Sequence, residues 1–149
     1  MAERDQDFIY VTYIKTTPEK LWDALTNAEF TRQYWFGIDV KSDWKVGSAM
    51  LYLSDGKPKV DGKVLVADRP KLLSYTFRET EGGASGEPPS KVTLEIEPEI
   101  GTDTVRLTVT HTDFVANSKL RPNISGGWPA VLRGLKSFLE TGKALEFEA

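Results

Sequence analysis

The chain has 149 residues, no cysteine, one histidine (His111), and 19 Lys and Arg against 22 Asp and Glu for a net charge of −3. The missing thiols exclude disulfides, iron–sulfur clusters, thiolate zinc sites and cysteine nucleophiles together, and one imidazole does not build a His-rich metal site. The slight acidity argues against an electrostatic nucleic-acid binder, which would show a basic face.

Phe8–Lys15, rich in β-branched and aromatic residues, predicts a first strand. Thr16 or Thr17 then caps a helix, Pro18 suits its first turn, and Glu19 favours the positive end of its dipole. Leu21, Trp22 and Leu25 fall at helical spacing; Asn27 offers a second cap, and Phe30, Tyr34 and Trp35 continue a second short helix. Residues 18–35 therefore read as helix, kink, helix. Short strands follow at residues 37–41, 48–53 and 58–67, the last two flanking Asp55-Gly56, a strong hairpin signal. Residues 71–78 form the next strand, with Leu73, Tyr75 and Phe77 on one face. Val92, Leu94 and Ile96 alternate with Thr93, Glu95 and Glu97; Val105, Leu107, Val109 and His111 alternate with Arg106, Thr108 and Thr110. Such alternation marks antiparallel strands with one covered and one wet face. Residues 79–90, with three glycines and two prolines, predict a mobile hairpin tip.

The chain closes on an apolar stripe of Trp128, Val131, Leu132, Leu135, Phe138 and Leu139, with Pro129 near its start and Gly142 near its end. About 14 residues at 1.5 Å each give a helix of roughly 21 Å, enough to cross a sheet. Strands in series with segregated helices imply α+β. No stretch approaches the ~18 apolar residues of a spanning helix, and the charged residues 1–7 lack the apolar run of a signal peptide. The expectation is one domain over residues 1–149, cytoplasmic and monomeric, with no cofactor.

The run Thr17–Thr26 after the first strand resembles the opening of the START/Bet v 1-like (SRPBCC) superfamily. Val109–Phe114, followed by the Gly-Trp-Pro and Leu-Glu-Thr-Gly segments of residues 127–142, resembles more narrowly the family related to the C-terminal domain of the activator of Hsp90 ATPase homologue. The resemblance implies a helix-grip fold: a seven-stranded curved antiparallel sheet wrapped around a long C-terminal helix, with two short helices after strand 1. It also implies an apolar cavity between sheet and helix in many members. They include hydrophobic-ligand carriers, polyketide cyclase/aromatase-type enzymes and the Hsp90 co-chaperone domain. The co-chaperone proper has an additional N-terminal domain for which this chain is too short, so an Hsp90-type partner ranks below a ligand.

On these grounds Trp35, Phe36, Tyr52, Tyr75, Phe77, His111, Phe114, Trp128, Leu132 and Leu135 are the candidate ligand-binding residues, with residues 37–47 and 113–127 as a gate. The same side chains also read as ordinary core. The expected occupant is a small aromatic or lipid-like molecule, held by apolar burial and oriented by Tyr or Trp polar groups. No catalytic or metal residue is assigned. His111 has the parity of a core position, and none of Ser118, Ser125 or Ser137 lies in a nucleophile-elbow motif. Glu95 and Glu97 share the wet parity, and the glycine-rich residues 82–86 lack a Gly-Lys-Ser/Thr ending. The alternatives are an Hsp90-regulating interaction module and a cyclase/aromatase-type enzyme. The latter would draw on His111, Tyr52 and Tyr75; Arg106 has the wrong parity.

Overall fold

The computed structural model describes residues 5–143. Its elements in chain order are β1 (Phe8–Lys15), α1 (Pro18–Thr26), α2 (Ala28–Tyr34), β2 (Asp39–Lys41), β3 (Ala49–Ser54), β4 (Lys57–Asp68), β5 (Leu72–Glu79), β6 (Ser90–Pro98), β7 (Thr104–Thr112) and α3 (Leu120–Thr141). The strands form one seven-stranded antiparallel sheet in the order β1-β7-β6-β5-β4-β3-β2. This sheet curves around α3, the helix-grip α+β arrangement expected from the sequence.

Period-two patterning decides which face is covered. In β7, Val105, Leu107, Val109 and His111 are buried while the residues between them are half-exposed. Leu107, Leu132 and Leu135 lie fully inside, where the sheet meets α3. The caps are those predicted: Thr17 Oγ1 accepts the Lys20 N–H at 3.2 Å, and Asn27 Oδ1 accepts the Glu29 N–H at 2.9 Å. The β3–β4 hairpin turns on Asp55 and Gly56, both left-handed, as a tight hairpin turn requires. At Gly62 the backbone of β5 comes so close that a Cβ would stand 1.8 Å from the Thr76 carbonyl oxygen, just before an irregularity in register at Val64/Val66. Only glycine permits that approach.

Two expectations are corrected. The long helix has 22 residues and begins at Leu120, so Gly126, Gly127 and Pro129 are interior rather than preceding or opening it. Local propensity opposes this, since interior glycine costs about 1 kcal/mol and interior proline about 3. Tertiary contacts prevail. Leu120 and Ile124 are buried. Ser118 Oγ accepts the N–H groups of Leu120 and Arg121, at 3.1 and 3.2 Å. Asp5 accepts those of Asn117 and Ser118. The second correction concerns residues 79–90. They are tied down, because the Glu87 carboxylate accepts the Ser118 hydroxyl at 2.6 Å and the Lys119 N–H at 2.7 Å, and Ala84 is buried. A carboxylate at a helix N-terminus meets both its unpaired N–H groups and its dipole.

Helix α3 also covers the free edge of β1. Lys136 Nζ donates to the Tyr13 carbonyl, the Lys15 N–H donates to Glu140 at 2.8 Å, and Arg121 Nε donates to the Gln6 carbonyl at 2.6 Å. Strand and helix thus run the same way, and at the C-terminal end of β1 the Tyr13 carbonyl and Lys15 N–H are taken.

Candidate functional site

Strand register gathers the inward aromatics. Tyr75 pairs with Val92, Val92 with His111, and Phe77 with Ser90. Helix α2 reaches them from the other side, resting on α3 at Gly134, where a Cβ would stand 2.8 Å from the Tyr34 carbonyl oxygen. That approach sets Trp35 against Trp128 (ring centroids 5.5 Å apart) and against Tyr52 (4.7 Å). The chain of rings continues from Tyr52 to Tyr75 and Phe77, from Phe77 to His111 at 5.0 Å, and from His111 to Phe114 at 4.7 Å. Seven of the ten candidate residues are therefore one contiguous aromatic cluster, packed ring on ring. Leu132 and Leu135 are buried. Phe36, at φ 50°, is 58% exposed.

Polar atoms inside the cluster are paired. The Tyr52 and Tyr75 hydroxyls hydrogen-bond each other, and burial pushes both phenols up from their ordinary pKa. His111 is completely buried. Trp128 Nε1–H donates to its Nδ1 at 3.1 Å, so the imidazole proton belongs on Nε2, which lies 2.6 Å from Ser90 Oγ. Ser90 Oγ in turn donates to the Phe77 carbonyl at 3.1 Å. The donor sequence Trp128, His111, Ser90, Phe77 is complete in one direction. It holds the imidazole neutral, and burial lowers its pKa to about 3. As arranged, His111 has no free lone pair to act as a base toward Ser90, and the Ser90 proton is already placed. Ser90 was missed in the sequence, although it carries the inward parity of Val92, Leu94 and Ile96.

Beside this cluster, between α3 and the Trp35–Phe36 corner, a cleft of about 230 Å³ opens to solvent, lined by Trp35, Phe36, Phe77, Glu79, Asn123, Ile124, Gly127, Trp128 and Val131. Four of the ten candidates line it; Tyr52, Tyr75, His111, Phe114, Leu132 and Leu135 are buried and do not. The gate expected from residues 113–127 is largely helix, since α3 starts at Leu120. On the other side, Trp44 is anchored by its Nε1–H to the Thr26 carbonyl at 3.0 Å.

Five lining residues lie outside the candidate list, and the two polar ones, Glu79 and Asn123, fall in segments whose composition reads as loop. Parity was the available signal: Glu79 continues the inward series Leu73, Tyr75, Phe77. Desolvation raises the Glu79 carboxyl above its ordinary pKa; the Asn123 side chain opposes the shift and the Glu87 carboxylate adds to it. Among the described residues no cluster of three or more His, Asp or Glu could hold a metal ion. No helix of the described residues is long and apolar enough to cross a membrane.

Residues 15–140 match the model of the family described as Activator of Hsp90 ATPase homolog 1-like protein. The chain belongs to that family. Among curated proteins none matches it. Among solved structures, the Aha1 dimer from Colwellia psychrerythraea is similar at 21% identity and a TM-score of 0.76, over 94% of this chain and 100% of that one. CalU16 from Micromonospora echinospora is similar at 20% identity and a TM-score of 0.71, over 91% of this chain and 77% of that one. An Hsp90 activator from Plasmodium falciparum, PFC0360w, is similar at 19% identity and a TM-score of 0.69, over 83% of this chain and 88% of that one. At these identities the neighbours share the fold; the family is established by the match to its model.

Proposed function

We propose that this member of the Activator of Hsp90 ATPase homolog 1-like family binds a small, flat, apolar molecule in the cleft between α3 and the Trp35–Phe36 corner. The observation that carries the reading is Gly127. An interior helical glycine costs about 1 kcal/mol relative to alanine. Nothing in the fold requires one here: its φ is not positive and a Cβ would meet no atom within 4 Å. What the missing side chain leaves is the cleft, walled by Trp35, Phe36, Phe77 and Trp128. Its volume lies below the ~300 Å³ at which drug-sized pockets begin, so the occupant is nearer a fused two-ring molecule than a sterol or fatty acid.

The test is to fill the space. Gly127→Leu should fold normally, with unchanged or raised stability, and lose binding of neutral naphthalene-type probes. In the parent, a probe at 100 times its Kd should stabilise the fold by about 2.7 kcal/mol and raise Tm by roughly 5–10 °C. Equal shifts in parent and variant would place the binding elsewhere and reject the cleft.

A second reading, a protein-interaction module as in the Plasmodium Hsp90 activator, is supported by a different surface. Ile9, Val11 and Tyr13 alternate on β1 and are 62%, 44% and 47% exposed. Three apolar side chains in register on an edge strand form a stripe for a partner. Capture of an Hsp90-type chaperone by the parent, and its loss in an Ile9→Ser, Val11→Thr double variant, would support it; failure of capture would remove it.

A further inference from the structure

We propose that the cleft selects a flat aromatic amine, cationic at neutral pH, over its neutral and acidic counterparts. This rests on the cleft being a ligand site and adds the charge of what it takes. Of the residues lining it, Glu79 is the one that carries a charge, and no Lys or Arg lines it. Glu79 sits at the inward-facing end of β5, next after Phe77 on the same face, so its carboxylate stands at the edge of an aromatic wall. Asn123, one turn of α3 before Gly127, faces it and donates a side-chain hydrogen bond to its carboxylate.

The negative field there is reinforced. Glu87 is near enough to act on Glu79, and its own oxygens are already occupied by Ser118 and the Lys119 N–H. Desolvation, with the Glu87 charge, raises the Glu79 pKa against the hydrogen bond from Asn123, so burial and like charge outweigh that one partner. An ammonium group placed between Glu79 and the aromatic side chains that line the cleft would gain a charge-assisted hydrogen bond and a cation–π contact in one position. A ligand carboxylate in that position would bring a second negative charge beside Glu79 with no cation lining the cleft to compensate. A fatty-acid-like occupant is disfavoured on the same ground.

Three matched probes decide it: naphthylmethylamine, naphthylmethanol and naphthoate, titrated calorimetrically at neutral pH and low salt into the full chain and into Glu79→Gln. The amine should bind roughly tenfold tighter than the alcohol, the sum of a rim ion pair and a cation–π contact, and naphthoate more weakly still. In Glu79→Gln the amine and alcohol should converge, and Asn123→Asp should widen the gap. If the alcohol or naphthoate matches the amine, or if Glu79→Gln keeps the preference, the charge selection is wrong while the cleft still binds an apolar body. If none of the three binds, the cleft reading fails and this inference falls with it.

Discussion

His111 is the residue whose environment makes the clearest demand. It is fully enclosed, donates toward Ser90 and accepts from Trp128, and is held neutral with its pKa lowered to about 3 by burial. In the unfolded chain the same side chain titrates near 6.5. Between those two values the unfolded chain takes up a proton that the folded chain refuses. Its contribution to stability is therefore complete above about pH 6.5 and is lost as pH falls, by up to ~1.4 kcal/mol per unit. Urea midpoints measured from neutral pH toward pH 4 should decline. His111→Gln, whose amide can still accept from Trp128 and donate to Ser90, should fold and show a shallower decline. If variant and parent decline in parallel, other groups carry the acid sensitivity and His111 is a bystander. That His111 faces inward was readable from the strand parity; that Ser90 and Trp128 close its hydrogen bonds required the pairing of β6 with β7 and the seat of α3.

At the scale of elements, the start of α3 is where local preference and tertiary structure disagree most. Residues 120–129 include two prolines and two glycines, a composition that reads as a loop. They are helical because Ser118 caps the first turn, while Glu87 from the β5–β6 connection and Asp5 from before β1 hold the residues that lead into it. Ser118 is central, since its hydroxyl accepts from the helix and donates to Glu87. Ser118→Ala should lower stability by about 1–2 kcal/mol, as loss of a helix cap does. It should also speed amide exchange in residues 79–90, whose anchor is removed. Faster exchange confined to α3 would show that the hairpin is held by something other than Glu87. By contrast, the exposed ion pairs on the outer face, such as Arg78–Asp61 and Arg106–Glu97, add little, because water screens them.

For the whole molecule, the contact that matters is the inner face of α3 on the sheet. Leu135 is 0% exposed and central to that face. Leu135→Ala should cost about 2–5 kcal/mol in urea-derived stability, transfer and cavity together. A loss under about 0.5 kcal/mol would mean that the site collapses freely around the smaller side chain. The sheet order brings β7 beside β1, so the last strand and the following helix fold back over the first residues of the chain. Helix α3 then fastens the ends of this segment, through Arg121 at Gln6 and through Lys136 and Glu140 at Tyr13 and Lys15, which resists pairing with another strand at the C-terminal end of β1.

The sequence alone determined the class of the molecule. Period-two and period-3.6 patterns, the Thr17 and Asn27 caps and the Asp55-Gly56 turn are local, and burial and backbone sterics act on them within a few residues. Those signals suffice for seven strands, two short helices, a long amphipathic helix and the inward aromatics. The tertiary structure decided what local rules misjudge: that α3 extends through Gly126, Gly127 and Pro129, that residues 79–90 are fastened, and that Glu79 and Asn123 share the wall of a cleft with Trp35 and Trp128. Each of these depends on groups far apart in the chain, whose pairing outweighs a propensity cost of one to a few kcal/mol per residue. No window of neighbouring residues contains that balance.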